Sequence, residues 1–231
     1  SLALDGDSKM SEMNKFFTKQ FMKTLVDYTF ICETEDEEKI KKAYYKKMKF
    51  VGVSPLRRNK VLFSPLSFTM EPGKILVLMG PSGVGKSSLL ECVTGNLKHT
   101  GQIKGNTDFF NVYQDTEQLF PWMTVIENLQ LANKNTDWKK HAKQFNLEHK
   151  LENFPNECSV GQRQRFTLLR AIHSGKSVLL CDEPLSGVDS DTALKICEEF
   201  NEHVLKNKKT VLWVTHNQTE AEQLGEIIKL K

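Results

Sequence analysis

The chain has 231 residues, of which 39% are hydrophobic and 26% are charged, as in a globular protein that can bury one sizeable core. Its formal net charge of +3 is small and dispersed along the chain, which argues against a nucleic acid partner. No stretch approaches the roughly 18 apolar residues that a membrane-spanning helix needs, so any membrane role is expected to depend on a separate chain.

The first 48 residues differ in pattern from the rest. Residues 1–9 carry no signal-peptide pattern and are interpreted as a flexible tail or as residues left by cloning, with Met10 as the native start. From 10 to 48 an amphipathic helical extension is predicted, which either packs onto the main domain, docks a partner or anchors at a membrane interface. The apolar positions behind this prediction are Met13, Phe17, Phe21, Leu25, Tyr28, Ile40, Ala43, Tyr44, Tyr45 and Met48.

After Phe50 the pattern changes to short apolar runs separated by helical stretches. A Glu-Pro-Gly-Lys turn divides two of these runs, and their alternation with helices predicts an α/β fold. The expected core is a mainly parallel sheet with helices on both faces. The runs with the length and composition of strands are Lys60–Phe63, Leu66–Met70, Ile75–Met79, Val178–Cys181 and Thr210–Val214.

A complete phosphate-loop pattern, G-x-x-x-x-G-K-[ST], directly follows one of these runs. Glycines let backbone N–H groups approach a triphosphate closely, and the following helix directs its positive end toward the phosphates. We predict that Lys86 reaches the β- and γ-phosphates and that the Ser87 hydroxyl binds Mg²⁺. The alternative, a mere glycine-rich turn, would need neither the strand before nor the amphipathic helix after. The loop residues are Gly80, Pro81, Ser82, Gly83, Val84, Gly85, Lys86, Ser87 and Ser88.

Two carboxylates, Asp182 and Glu183, follow the apolar run Val178–Cys181. They are placed at the carboxyl end of a central strand, where open α/β sheets bind their ligands. Asp182 is suited to bind Mg²⁺ directly or through water, and Glu183 to orient or deprotonate the water that attacks the γ-phosphate. Alone, the segment is equally a strand that meets a polar loop. Together with the phosphate loop upstream, it indicates nucleotide hydrolysis.

The segment between these two sites is helical in pattern. Thr124 and Glu127 form a capping box, which predicts a helix that starts at Val125. The apolar Phe-Pro-Trp-Met turn at 120–123 comes just before this box. It either forms a local core or presents Trp122 to a partner.

The cysteines and histidines show no metal-binding pattern along the sequence. The five cysteines form no C-x-x-C pair, and several lie in apolar segments, so we interpret them as reduced and mostly buried. The six histidines form no ligand cluster by their spacing, and we therefore predict no structural zinc.

From about residue 50 to the end, the order of the motifs resembles the nucleotide-binding domain of ATP-binding cassette (ABC) proteins. Gln114, after the strand-like run Phe109–Tyr113, matches the glutamine of the family's Q-loop. The segment Leu185–Asp189 resembles the D-loop, and His216 resembles the switch histidine that follows the last core strand.

A further segment stands in the place of the family signature Leu-Ser-Gly-Gly-Gln, with Cys158 for Leu and Val160 for the first Gly. Ser159 and Gln162 form a capping box at the start of a predicted helix. The resemblance implies that Ser159, Gly161 and Gln162 present hydrogen-bond donors to the γ-phosphate of ATP bound to another subunit. Hydrolysis is expected to be retained, at a rate affected by the altered signature.

The resemblance assigns a role to each remaining position. It implies that Gln114 contacts Mg²⁺ or the attacking water and that His216 donates a hydrogen bond to the γ-phosphate. Asp189 is placed across the seam between two subunits. The expected catalytic residues are Lys86, Gln114, Glu183 and His216, and the expected metal ligands are Ser87, Gln114 and Asp182.

The resemblance also implies a fold and an assembly. A P-loop NTPase domain is expected over 49–231, with a small antiparallel β-subdomain and a helical subdomain at about 115–172. Two subunits are expected to enclose two ATP molecules head to tail as a homodimer, and to drive a separate membrane permease from the cytoplasmic side. The alternatives are a soluble non-transport ABC ATPase and a cassette that senses ATP with little turnover.

The family usually stacks an aromatic residue on adenine upstream of the phosphate loop, and no clear counterpart is present here. Phe50 is displaced in spacing and Leu56 is closer to the expected place, so base stacking is expected to be weak or supplied elsewhere. The short stretch from Lys86 to Gln114 predicts a trimmed β-subdomain.

Overall fold

The computed structural model describes residues 47–105, 108–114 and 118–230. The predicted tail, nearly all of the predicted helical extension and Cys32 lie outside these residues. The strands are β1 (Met48–Arg57), β2 (Lys60–Val61), β3 (Leu66–Met70), β4 (Ile75–Met79), β5 (His99–Lys104), β6 (Phe109–Val112), β7 (Val178–Asp182), β8 (Thr210–Thr215) and β9 (Glu226–Lys229). The α-helices are α1 (Lys86–Val93), α2 (Val125–Gln130), α3 (Trp138–Gln144), α4 (Val160–His173), α5 (Ser190–Lys206) and α6 (Gln218–Leu224).

Five strands form the expected parallel sheet, in the order β6-β7-β8-β4-β9. Successive side chains of a strand point to opposite faces, and they therefore enter two different cores. Leu179 and Trp213 belong to the core shared with α2 to α6, whereas Leu180 and Leu212 belong to the core shared with β1, β3 and α1. The α/β fold class with helices on both faces is confirmed.

The second sheet is antiparallel, with β1 paired to β2, β3 and β5. Met48, which the helical spacing assigns to the extension, is instead the first residue of β1, opposite Met70 of β3. Both methionines are buried. That part of the prediction is wrong, because pairing with distant strands overrides a local helical period. The strand predicted at Lys60–Phe63 is also shorter, since β2 ends at Val61.

Several local predictions are confirmed. The helix α2 starts at Val125 with a complete capping box, in which the Thr124 N–H donates to Glu127 at 2.7 Å. The four described cysteines are free and buried.

None of the helices in the described part of the chain has the length and apolar character needed to cross a membrane.

The histidines depart from the expectation based on their spacing. His141, His173 and His203 lie far apart in the sequence, yet one ring nitrogen of each lies within 4.8 Å of the others. The prediction of no ligand cluster is therefore wrong in three dimensions. The packing of α3, α4 and α5, rather than any sequence motif, brings the three rings together.

Candidate functional site

The phosphate loop joins β4 to α1 at the carboxyl edge of the parallel sheet. Gly85, the residue before α1, has a φ of 110°, and a Cβ there would lie 3.2 Å from the Leu62 side chain. Side chains therefore fit poorly at this position, as the loop pattern requires. The helix α1 begins without a side-chain cap, whereas each of the other five α-helices in the described ranges has one. Its first N–H groups remain available to an anion.

The Lys86 side chain is buried at the centre of this loop. Its ammonium donates hydrogen bonds to the carbonyl oxygens of Gly80, at 2.9 Å, and Pro81, at 3.0 Å. The same nitrogen lies 3.9 Å from a carboxylate oxygen of Glu183. A single buried cation thus links the phosphate loop to the carboxylate that follows β7.

Asp182 ends β7 beside the start of α1, and the Ser87 hydroxyl hydrogen-bonds to its carboxylate. The Oδ1 atom of Asp182 is buried and has no hydrogen-bond partner among the described residues. Burial raises the pKa of Asp182, and the Ser87 hydroxyl partly counteracts this effect. A hydroxyl beside a carboxylate with an unpartnered oxygen is a donor set that fits Mg²⁺, which prefers oxygen ligands.

This environment leads to a prediction for Asp182→Asn. Because burial raises the pKa of Asp182 in the folded state, the ionised carboxylate destabilises the nucleotide-free fold. The asparagine variant is expected to melt at a higher temperature than wild type at neutral pH. The difference should shrink as pH falls and Asp182 becomes protonated, while Mg²⁺-dependent ATP binding weakens at least about tenfold at neutral pH. Thermal melts between pH 4 and 8 and calorimetric titration with Mg-ATP measure both effects, and a lower melting temperature at neutral pH would contradict the argument.

Glu183 is held in an unusual backbone conformation, with a φ of 45°. Its N–H donates to the Val214 carbonyl of β8 at 2.9 Å, which fixes the residue at the end of both strands. Its Oε2 lies 3.1 Å from Nδ1 of His216, which follows β8. Strained residues of this kind often lie in active sites. The structure therefore brings Lys86, Glu183 and His216 together, as the sequence predicts.

The loop that carries His216 is anchored by residues that the sequence analysis did not identify. The buried Thr215 hydroxyl donates to Glu220 at 2.9 Å and accepts from the Asn217 N–H at 3.0 Å. Asn217 also caps α6 by accepting from the N–H groups of Thr219 and Glu220. An asparagine three residues before a glutamate is a helix-start signal that was available in the sequence.

Gln114 follows β6, the strand next to β7, and therefore lies at the same edge of the sheet as Asp182. Its side chain is exposed, and no hydrogen bond joins it to Ser87 or Asp182 in the described part of the chain. Its carbonyl accepts a hydrogen bond from Gln164 of α4 at 3.1 Å. The backbone of the Q-loop is thus tied to the helix that begins at the signature.

The signature residues make local hydrogen bonds at the start of α4 and adjoin the D-loop. Ser159 and Gln162 form the predicted capping box of α4, and both hydrogen bonds of the box are local. A Cβ at Gly161 would lie 3.7 Å from the Gly187 carbonyl, so the signature adjoins the D-loop. Asp189 caps α5 by accepting from the Thr192 N–H at 3.0 Å, and this hydrogen bond lowers the pKa of Asp189.

Phe50 does not offer a surface to adenine. The ring is buried in the core and stacks on Phe68, with the ring centroids 4.2 Å apart. Leu56 is only half-buried in β1. The displaced spacing of Phe50 therefore corresponds to a packing role.

Comparisons with known proteins agree with this geometry. The family model for ABC transporters matches residues 63–186. The aliphatic sulfonates import ATP-binding protein SsuB 1 of Rhodococcus jostii is 32% identical over 189 residues, which are 78% of this chain and 77% of that protein. The sn-glycerol-3-phosphate import ATP-binding protein UgpC of Bartonella bacilliformis is 34% identical over 185 residues, but the match spans 71% of this chain and only 54% of that protein.

Solved structures show the same fold. An ATP-binding subunit of an ABC transporter superposes with a TM-score of 0.67 at 22% identity, over 79% of this chain and 85% of that chain. A chain of Pyrococcus furiosus, classed as an ABC transporter ATP-binding protein, gives a TM-score of 0.70 at 19% identity, over 80% and 97% of the two chains. This chain therefore belongs to the ABC transporter family, as one of its ATP-binding and ATP-hydrolysing subunits.

Proposed function

We propose that this subunit hydrolyses Mg-ATP as one half of a dimer and thereby drives solute import through a separate membrane permease. The observation that carries the proposal is the convergence of the Lys86 ammonium, the Asp182 and Glu183 carboxylates and the His216 imidazole beside the uncapped start of α1. Each of these groups meets a different need of phosphoryl transfer.

The residues of this chain would divide the reaction among them. The N–H groups at the start of α1 and the Lys86 ammonium bind the β- and γ-phosphates and balance their charge. Ser87 and Asp182 would hold Mg²⁺, which when bound neutralises charge that develops on the phosphate oxygens. Glu183 accepts the proton of the attacking water, and His216 holds the Glu183 carboxylate in place.

The arrangement of the signature supports a dimer. Ser159 and Val160 are exposed. Among the described residues, the hydrogen bonds at the start of α4 are local, and none joins this helix start to the phosphate loop of the same chain. A second subunit that approaches head to tail would bring this helix start to the γ-phosphate. Closure on ATP and opening after hydrolysis then supply the mechanical work, because the two states differ in their affinity for ATP.

A permease partner is supported by the relatives and by one exposed side chain. The named relatives are import ATP-binding proteins for sulfonates and for glycerol phosphate, both of which are small organic anions. We infer that the permease imports a solute of this class and that the ATPase subunit acts on it from the cytoplasmic side of the membrane. Trp122 has 65% of its surface exposed, just before the capped start of α2. Exposed tryptophan is typical of the centre of a protein interface.

Trp122→Ala is expected to weaken binding to the permease at least about tenfold, because aromatic residues at the centre of an interface contribute most of its binding energy. Affinity capture of the tagged subunit from detergent-solubilised native membranes measures how much multi-span protein is recovered. The matched control is Leu205→Ala, which removes an exposed apolar side chain near the end of α5, close to the start of β4. Failure of the wild-type chain to recover any multi-span protein would exclude the permease, and equal recovery by both variants would exclude Trp122 as its contact.

A further inference from the structure

Three helices bring three imidazole rings together, away from the ATP site. His141 lies on α3, His173 is the last residue of α4, and His203 lies on α5. The ring centroid of His141 lies 4.2 Å from that of His173 and 5.1 Å from that of His203. The centroids of His173 and His203 are 5.2 Å apart. One nitrogen from each ring lies within 4.8 Å of the other two.

One of these nitrogens has no partner. The Nε2 atom of His173 is buried and makes no hydrogen bond among the described residues. A buried polar atom without a partner is costly, and such atoms are rare in native structures unless an ion or water satisfies them. The atom therefore points to a ligand that the polypeptide itself does not provide.

His141 is held by a short relay of side chains. Its Nδ1 lies 3.0 Å from the Gln144 amide oxygen, while the Gln144 amide nitrogen donates to a carboxylate oxygen of Glu199 on α5. Because a carboxylate only accepts, the relay orients the Gln144 oxygen toward the ring, and His141 carries its proton on Nδ1. Its Nε2 then has a free lone pair. Histidines that bind metals usually have their second nitrogen fixed in this way.

His173 is also fixed in orientation. The buried Trp138 ring meets it edge to face, with the centroids 5.0 Å apart, and Trp138 is itself anchored by a hydrogen bond to the Asn133 carbonyl at 3.0 Å. Burial, together with the other two histidines and Lys209, lowers the pKa of His173 to about 3. The contact with Trp138 holds the His173 imidazole beside His141 and His203.

We propose that His141, His173 and His203 bind one divalent transition-metal ion of the zinc, cobalt and nickel class. Imidazole nitrogens suit these ions, whereas Mg²⁺ prefers oxygen ligands. Two nitrogens that each lie about 2.0–2.1 Å from one tetrahedral zinc are roughly 3.3–3.4 Å apart. Small rotations of the three rings, which shorten the distances between the nitrogens by about 1–1.5 Å, meet this requirement. A water molecule completes the coordination.

Such an ion would tie together helices that begin at the nucleotide motifs. The signature residue Ser159 caps the start of α4, and the D-loop residue Asp189 caps the start of α5. His173 ends α4, about 20 Å along its axis from the signature. The ion would therefore stabilise the packing of α3, α4 and α5 without taking part in ATP chemistry.

The test uses the full chain after treatment with a chelator and dialysis. Calorimetric titration with zinc chloride and metal analysis by mass spectrometry are expected to show one ion per chain, bound with micromolar affinity or tighter. His141→Gln/His203→Gln is expected to lose at least about tenfold in affinity, since two of three ligands are removed. Zinc should raise the melting temperature of the wild-type chain and leave that of the double variant unchanged.

Two controls separate this site from other histidines. His149→Gln removes an exposed histidine outside the cluster and should retain wild-type affinity. His216→Gln removes the histidine of the ATP site. This variant should bind zinc with wild-type affinity, which would show that the nucleotide motifs do not hold the ion. The single variant His203→Gln, checked by circular dichroism, replaces the double variant if the latter fails to fold. Wild-type binding only at millimolar zinc, or equal affinity of wild type and cluster variants, would overturn the proposal and leave a packed group of rings.

Discussion

Replacing Glu183 with glutamine is expected to lower the rate of ATP hydrolysis by about 10²–10⁴-fold, the usual contribution of a general base. The amide has the same shape as the carboxylate but cannot accept the proton of the attacking water. Binding of ATP is expected to remain, because the hydrogen bonds of Lys86 to the loop carbonyls do not involve Glu183. Phosphate release at saturating Mg-ATP measures the rate, and titration of the nucleotide measures the affinity.

The same variant tests the proposed dimer. If hydrolysis reopens the dimer, the variant should accumulate an ATP-bound species of twice the monomer mass, visible by light scattering. Glu198→Gln is the matched control, since it makes the same charge change at an exposed position of α5. Equal rates of phosphate release in wild type and Glu183→Gln would exclude Glu183 as the base. A monomeric variant with full ATP affinity would instead argue against the dimer alone.

The backbone of Glu183 explains why glutamine is the informative substitution. A φ of 45° costs a residue with a side chain about 1–3 kcal/mol, and the cost is nearly the same for glutamate and glutamine. The comparison therefore isolates the carboxylate charge from the strain. Glycine at this position would remove both the carboxylate and the strain. The glycine variant is therefore expected to gain stability and lose activity. The protein accepts a strained residue because that conformation directs the carboxylate between Lys86 and His216.

Much of the fold and the site could be predicted because the signals are local. The bounds of β3 and β4, the two capping boxes and the phosphate loop depend on residues that are neighbours in the sequence. The carboxyl edge of a parallel sheet is a general ligand site. The sequence therefore predicts correctly that Asp182 and Glu183 lie at the same edge of the sheet as the phosphate loop. Their individual roles stay predictions.

The features that could not be predicted depend on contacts between distant residues. Met48 has helical spacing with its sequence neighbours, but its burial comes from pairing with Met70. The contact between His216 and Glu183 depends on the register of β7 against β8. The cluster of His141, His173 and His203 depends on how three helices pack. No spacing rule in the sequence contains this information.

Lys86→Met is expected to weaken ATP binding by about 10²–10⁴-fold. The ammonium is expected to donate to oxygens of both the β- and the γ-phosphate, and hydrogen bonds to charged groups contribute about 1.5–3 kcal/mol each. Two such bonds correspond to roughly 3–6 kcal/mol, which converts to this loss in affinity. Calorimetric titration with Mg-ATP, with a fluorescent ATP analogue as a second probe, measures the change.

The loop geometry makes a second measurement necessary. Lys86 also donates hydrogen bonds to the carbonyls of Gly80 and Pro81, so its removal disturbs the loop as well as the charge. Affinity for AMP, which has neither a β- nor a γ-phosphate, separates the two effects, because only a disturbed loop lowers it. Lys195→Met, which removes an exposed lysine from α5, controls for the loss of net charge. If Lys86→Met binds Mg-ATP within threefold of this control, the ammonium does not bind the phosphates, and the site must recognise ATP through the α1 N-terminus alone.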